Sequence, residues 1–378
     1  MLVATPGLTE DDRRVLAEID DYRQKLRFQV REHRRWEGRL RRDLEAGAIR
    51  GSNSIEGIHV STEDAAALVE GEAMSATVDD ATRLAVTGYR DALTWVQQSA
   101  HMKNFSYQDM MLSALHFMIQ KYDLGKWPGR YRAGGIYVTG QDPLRPAYTG
   151  PDAEIVPGLM AELVEWLNTG DTDQPALVRA AMAHANLVKI HPWRDGNGRT
   201  SRCLHTLVLA QDKVLAPEFS SIEEWLGDPH NTFRYYDALA TLGPVWNPQR
   251  ADAHQWVRFC LRAHHLQAQI VQRRVDRAAQ LWAALESVVV EHELHERMVS
   301  GLYAAAVGEL RRSTYAKDED LTRDQSVRDL QQLRQHGLIK SIGHARTQRY
   351  VADGEIAEIN GAIVDLLRAQ PFREPYGS

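Results

Sequence analysis

His191-Pro192-Trp193-Arg194-Asp195-Gly196-Asn197-Gly198-Arg199-Thr200-Ser201-Arg202 is the stretch around which this 378-residue sequence organises itself. It gathers a potential base, a potential metal ligand, a flexible backbone loop and two guanidinium groups into one turn and the start of a helix. Leu177, Ala181, Ala185 and Val188 recur at helical spacing ahead of it, with Asp173 and Pro175 as start signals. Thr200, Leu204, Leu207 and Leu209 carry a second helical pattern out of it. The spacing predicts a helix-loop-helix corner with the glycines at the bend.

Each residue type in the corner suits one task. Gly196 and Gly198 lack a Cβ, so the backbone can turn sharply and bring its N–H groups close to a ligand. Those groups open a helix, where unpaired donors and the helix dipole favour an anion. Arg199 and Arg202, three apart, share a helix face and can grip further phosphate oxygens as forks. Asp195 offers the hard oxygen that Mg²⁺ takes beside a polyphosphate. His191 titrates near neutral pH and can accept a proton from a hydroxyl nucleophile. These parts point to nucleotide-phosphate chemistry. The loop is not a P-loop, because it lacks G-x-x-x-x-G-K-[ST] and joins two helices.

The run resembles the Fic family signature, H-x-F-x-(D/E)-G-N-G-R-x-x-R, and the lead-in Ala183–Pro192 is similar too. Trp193 stands where the family usually has Phe; the position anchors the loop in the core, so a larger aromatic should fit. The resemblance implies a mainly α fold with a Fic-like helical core and a small β-hairpin flap. It implies transfer of AMP from Mg-ATP to a Ser, Thr or Tyr hydroxyl of a protein. His191 would be the base and Asp195 the Mg²⁺ ligand. Gly196, Asn197, Gly198 and Arg199 would hold the α- and β-phosphates, and Arg202 the γ-phosphate.

Two further segments resemble parts of that family. Ser52-x-x-x-Glu56-Gly57 matches its inhibitory motif, (S/T)-x-x-x-E-(G/N). A carboxylate from Glu56 against Arg202 would form a charge-assisted pair and occupy the γ-phosphate position. Gly129–Gly140 reads as a short hairpin strand between glycines. In the family this is the flap, which pairs with an extended target segment; Ile136, Tyr137, Val138 and Thr139 would then line the nucleotide. Tyr235 and Tyr236, on an apparent helix, are candidates to pack an adenine.

Composition sets outer bounds. Hydrophobic residues make up 43% of the chain and the formal net charge is −6, so charge alone implies no nucleic-acid affinity. No signal peptide, lipidation site or membrane-length apolar run is expected, which points to the cytoplasm. The two cysteines, Cys203 and Cys260, sit in helical patterns and read as buried small hydrophobes.

The expected organisation is an N-terminal helical region (1–98), the catalytic core (99–265), a connecting helix (266–298), a C-terminal module (299–352) and a tail (353–378). In the module a helix from Arg297 to Arg312 is expected to break at Ser313-Thr314-Tyr315. Thr322 then caps a helix bearing Val327, Leu330 and Leu333, which ends at Gly337. Two strands around Gly343–Gln348 complete a pattern that resembles a winged helix-turn-helix. Arg323, Arg328, Arg334, Lys340, Arg346 and Arg349 make it basic, so DNA is a candidate partner. The principal partner is a protein with an exposed hydroxyl, the chain itself included, and a homo-oligomer stays open. Alternatives are transfer of another nucleotidyl or phosphoryl group, removal of AMP at the same site, or a nucleotide-sensing DNA-binding regulator. Intact Gly196 and Gly198 favour nucleotidyl transfer, since family branches that move a bare phosphate alter the glycine pattern.

Overall fold

In chain order the helices are α1 (Glu10–Gln29), α2 (Glu37–Ile55), α3 (Thr62–Val69), α4 (Asp80–Ser99) and α5 (Asp109–Gln120), followed by strands β1 (Tyr137–Thr139) and β2 (Pro146–Thr149). Then come α6 (Val156–Thr169), α7 (Ala176–Ile190), α8 (Asn197–Asp212), α9 (Pro217–Ser220), α10 (Glu223–Leu226), α11 (Pro229–Ala240) and α12 (His254–Glu291). The chain closes with α13 (Met298–Val307), α14 (Arg312–Asp318), α15 (Arg323–Gln335), β3 (Ile339–Ile342), β4 (Arg349–Ala352) and α16 (Gly354–Arg368). These elements come from a computed structural model, which describes residues 1–30, 35–139, 146–343 and 348–377. The fold is mainly α, as the sequence predicts.

Two compact units emerge: Met1–Arg27, Leu44–Ala268 and Glu374–Ser378 form one, and Phe28–Asp43 with Gln269–Arg373 the other. The first is built on α7 and α8. Leu177, Val178, Ala181, Ala185, Leu187 and Ile190 bury α7 on nearly every side, as befits a helix apolar all round. Helix α8 is buried along almost its full length. Around this pair lie α4, α5 and α6. Local chemistry starts the helices: Asp79 accepts from the Thr82 amide at the head of α4, and Asp228 from His230 at the head of α11, where Pro229 takes the first position.

In the second unit Thr322 caps α15, as its sequence predicts, and the structure adds a full capping box with Gln325. Leu330 and Leu333 are buried on its inner face. Strands β3 and β4 pair antiparallel, Ile339 opposite Ala352 and Ile342 opposite Arg349. Leu310 adds a bridge to Tyr350. Asp329, 3% exposed, accepts two hydrogen bonds from Arg297 at 2.7 and 2.9 Å and one from the Tyr315 hydroxyl at 2.9 Å.

Several expected boundaries move. The division at 265/266 falls inside α12, a single 38-residue helix. The helix expected over 297–312 stops at Val307 before Gly308, and Ser313-Thr314-Tyr315 lie within α14 instead of breaking a helix. The tail carries α16, a 15-residue helix with Ile356 and Leu367 buried. Of the expected wing, residues 344–347, Arg346 among them, lie outside the described residues.

Candidate active site

Helix α7 ends at Ile190, and His191 caps it in the left-handed conformation, φ 50°. A non-glycine residue there costs on the order of 1–3 kcal/mol and persists only where neighbours impose it. Arg132 is such a neighbour, donating from Nε to the His191 carbonyl at 2.8 Å and from its backbone N to the Pro192 carbonyl at 3.0 Å. The His191 ring is fixed as well. Its Nδ1 lies 3.0 Å from the Val188 carbonyl, which can only accept, so Nδ1 carries the proton and Nε2 keeps a free lone pair. Burial pushes the His191 pKa down, which favours the neutral, basic form.

The loop beyond is closed from within. Trp193 is wholly buried, stacked on His116 at 4.3 Å with the rings 2° from parallel. Asn197 spans the bend: its Oδ1 accepts from the Trp193 amide at 3.0 Å and its Nδ2 donates to the Trp193 carbonyl at 2.8 Å. Both side-chain atoms are therefore spent on the loop, and what Asn197 can offer a ligand is its amide. Gly196 caps α8 without a capping side chain. The amides of the first turn of α8 thus receive no side-chain cap, and their dipole favours an anion.

Two buried guanidinium groups extend this cradle. Arg199 Nη2 donates to Gln120 at 2.9 Å and to the Tyr122 hydroxyl at 3.2 Å; its Nε and Nη1 have no hydrogen-bond partner among the described residues. Arg202, 1% exposed, donates from Nε to Ser52 Oγ at 2.7 Å and from Nη2 to the Ser52 carbonyl at 2.9 Å. Its Nη2 also reaches Glu56 Oε1 at 2.7 Å, and Nη1 is unpartnered among the described residues. Ser52 lies in the last turn of α2; Glu56 and Gly57 follow immediately, with Gly57 in the left-handed turn at φ 76°. The carboxylate also sits over α8, where a Cβ on Gly198 would collide with Glu56 Oε1. Buried, unpartnered donors beside an uncapped helix start are the donor set that phosphate oxygens satisfy.

Asp195 stands at the mouth, its side chain 42% exposed, with Oδ1 accepting from the Gly196 amide at 2.7 Å and Oδ2 3.5 Å from Lys126 Nζ. Among the described residues no group of three or more His, Cys, Asp or Glu could hold a metal ion. A Mg²⁺ here would rest on the Asp195 carboxylate together with phosphate oxygens, which suits an ion that keeps few protein ligands.

The hairpin lies against the same corner. β1 pairs antiparallel with β2, Tyr137 opposite Thr149 and Val138 opposite Tyr148. Gly150, just past β2, faces Ile136, Arg132 and the His191 Cβ, so Ile136 is brought to the His191 turn. Tyr137 is 67% exposed, and Val138 is half-buried. Thr139 closes β1, its side chain lying outside the description. The tyrosine pair separates. Tyr235, 1% exposed, packs beneath the Arg202 guanidinium at 5.9 Å and pairs its hydroxyl with His184 Nε2 at 2.9 Å, so it is a core residue with no face for an adenine. Tyr236 is 46% exposed and donates to the Ile55 carbonyl at 3.1 Å. No sequence pattern assigns a role to His116, Gln120, Tyr122 or Arg132. Each acts largely through backbone atoms or through Arg199, contacts that carry no sequence pattern.

Residues 108–209 match the family profile described as Fic/DOC family. A relative named protein adenylyltransferase Fic from Nematostella vectensis is 28% identical over 260 residues, covering 68% of this chain and 56% of that protein. Protein adenylyltransferase fic-1 from Caenorhabditis briggsae is 39% identical over 82 residues, 21% of this chain and 15% of that protein. This chain therefore spans well under two thirds of those relatives. Among solved structures, a Fic family protein from Desulfovibrio desulfuricans G20 superposes with a TM-score of 0.59 at 24% identity, covering 93% of this chain and 98% of that one. Fic-1 residues 134–508 from C. elegans gives 0.56 at 24% identity, covering 70% and 72%. Residues 108–209, the corner among them, are thus similar to the Fic/DOC family profile, and the chain shares its fold with both structures.

Proposed function

We propose that this chain transfers AMP from Mg-ATP to a hydroxyl side chain of a protein, itself included, and that Glu56 restrains the reaction. One observation carries the reading: His191, with Nε2 unprotonated, opens the loop that leads into a cradle of uncapped amides and buried, unpartnered guanidinium donors. A hydroxyl delivered along β1 would give its proton to His191 Nε2 as its oxygen attacks the α-phosphorus, and pyrophosphate would leave. The amides of Gly198 and Arg199 and the Arg199 guanidinium would hold the phosphates, with Asp195 bearing Mg²⁺, which neutralises charge on them. Tyr236 is the tyrosine of the pair with a face free for an adenine. Incubation of a Glu56→Gly variant with ATP labelled at the α-phosphate tests the activity. Label on protein supports it, label only from the γ-phosphate assigns phosphoryl transfer, and none favours a sensor.

The second unit we read as a winged-helix-like module, from its order of helices and hairpin. Lys340 is paired with Asp353 at 3.1 Å and Arg349 with Glu309 at 2.9 Å, which lowers its free positive charge and favours protein packing over duplex binding. No described helix is long and apolar enough to cross a membrane. Two free, buried cysteines fit a reducing compartment such as the cytoplasm.

A further inference from the structure

His116 joins two segments that are far apart in sequence and meet at the corner. Its Nδ1 accepts from the Gly129 amide at 2.8 Å, and its Nε2 lies 2.8 Å from the Asp195 carbonyl. An amide can only donate and a carbonyl can only accept, so the ring is the neutral tautomer with its proton on Nε2. Burial agrees, holding the His116 pKa down at about 4. Both partners adjoin left-handed glycine turns: Gly129 itself at φ 78°, and Gly196, next to Asp195, at φ 76°. Both turns are also jammed against α5. A Cβ at Gly129 would press on the Ser113 carbonyl at 3.2 Å, and one at Gly196 on Gln120 Oε1 at 2.9 Å and His116 Nε2 at 3.2 Å. The imidazole face is covered by Trp193. Gly129 begins the segment that runs through Arg132 into β1, and Asp195 heads the phosphate loop.

We propose that His116 is a positioning residue that locks the root of the flap to the phosphate loop and so holds the Asp195 carboxylate in its place at the mouth. The functional half of this rests on the reading that the corner binds Mg-ATP. The lock itself does not. A packing residue would need only the ring; a lock needs both hydrogen bonds, and different side chains can separate them. Phenylalanine keeps the stack on Trp193 and loses both bonds. Asparagine places an acceptor near the Nδ1 position, and glutamine a donor near the Nε2 position.

The test uses the 378-residue chain carrying Glu56→Gly, alone and with His116→Phe, His116→Asn or His116→Gln. Amide hydrogen exchange without nucleotide is read over 127–131 and 193–197, and ATP affinity is measured by calorimetry with and without Mg²⁺. His116→Phe should speed exchange in both segments about tenfold, the loss expected for a hydrogen bond removed at each end. It should also weaken Mg-ATP about tenfold while changing metal-free ATP less. His116→Asn should protect 127–131 only; His116→Gln should protect 193–197 only and recover the Mg²⁺-dependent affinity. If His116→Phe fails to fold, the Asn and Gln pair decides alone. Exchange that changes alike in both segments for Asn and Gln, or not at all for Phe, overturns the lock whatever the nucleotide does. If exchange splits as stated but the Glu56→Gly parent binds no Mg-ATP, the lock stands and the nucleotide reading falls.

Discussion

Replacing Glu56 by glycine is the perturbation with the most definite expectation. The carboxylate holds Arg202 Nη2 at 2.7 Å and rests over Gly198, so it occupies donors that the proposed triphosphate needs. Hydrogen bonds to a charged partner contribute about 1.5–3 kcal/mol. Arg202 is 1% exposed but the Glu56 side chain is 29% exposed, so solvent screens part of the attraction and the lower half of that range applies. About 1.5–2.2 kcal/mol corresponds to roughly 10- to 40-fold in the population of the open, competent site. At ATP below saturation, labelling from α-phosphate-tagged ATP should rise by that factor. Glu56→Gln, which keeps size and an acceptor but loses the charge, should fall between. Adding His191→Ala should return labelling to background and tie the gain to this site. Arg202→Ala should gain nothing, because it loses the inhibitory pair and the phosphate ligand together. Equal labelling by wild type and Glu56→Gly refutes the restraint, and Glu56 would then be an ordinary ion-pair partner at a helix end.

Three further outcomes concern the same site and a fourth the second unit. In the Glu56→Gly background His191→Ala should lower the rate ~10²–10⁴-fold while calorimetric ATP affinity holds, since a general base does not carry ground-state binding; retained transfer removes His191 from the mechanism. The base must be neutral and burial lowers its pKa, so activity should hold below the ordinary imidazole value of about 6.5 and decline only as pH falls through the lowered one; a decline centred at or above that value contradicts the assignment. Asp195→Ala should abolish the Mg²⁺ dependence of ATP binding, and unchanged magnesium sensitivity would place the ion elsewhere. Asp329→Ala should cost the second unit about 2–4 kcal/mol in urea unfolding, because Arg297 and the buried Tyr315 hydroxyl lose their acceptor together; a change under about 0.5 kcal/mol would rule out that brace.

What could be read without coordinates divides by whether its cause is local. The corner was legible because base, carboxylate, glycines and guanidiniums are contiguous and each type has one chemical use there. The Glu56–Arg202 contact spans 146 positions and became an expectation only through resemblance. His116 and Arg132 act on carbonyls and amides of residues that any side chain would supply, so no spacing announces them. Boundaries went astray where punctuation misleads. Residues 254–291 contain neither glycine nor proline, so nothing in α12 marks where one unit gives way to the next. Ser313 and Thr314 resemble a break, yet the stop is Gly308, whose chain then turns to let Leu310 pair with Tyr350.

The tyrosine pair shows the remaining kind of failure, and its cause is geometric. Successive residues on a helix point about 100° apart, so Tyr235 and Tyr236 cannot share one face. If one lies toward the core, the other must turn aside. Here Tyr235 lies beneath Arg202, and its hydroxyl partner His184 is itself buried on α7, four positions before Val188, whose carbonyl fixes the His191 tautomer. Tyr235 therefore serves the corner from behind, as part of the packed floor under the guanidinium. Tyr236 turns aside instead, 46% exposed, with its hydroxyl on the Ile55 carbonyl at the end of α2. The same helix thus buries one and exposes the other of two neighbouring side chains of identical type, which periodicity over a longer window would have indicated and the dipeptide alone could not.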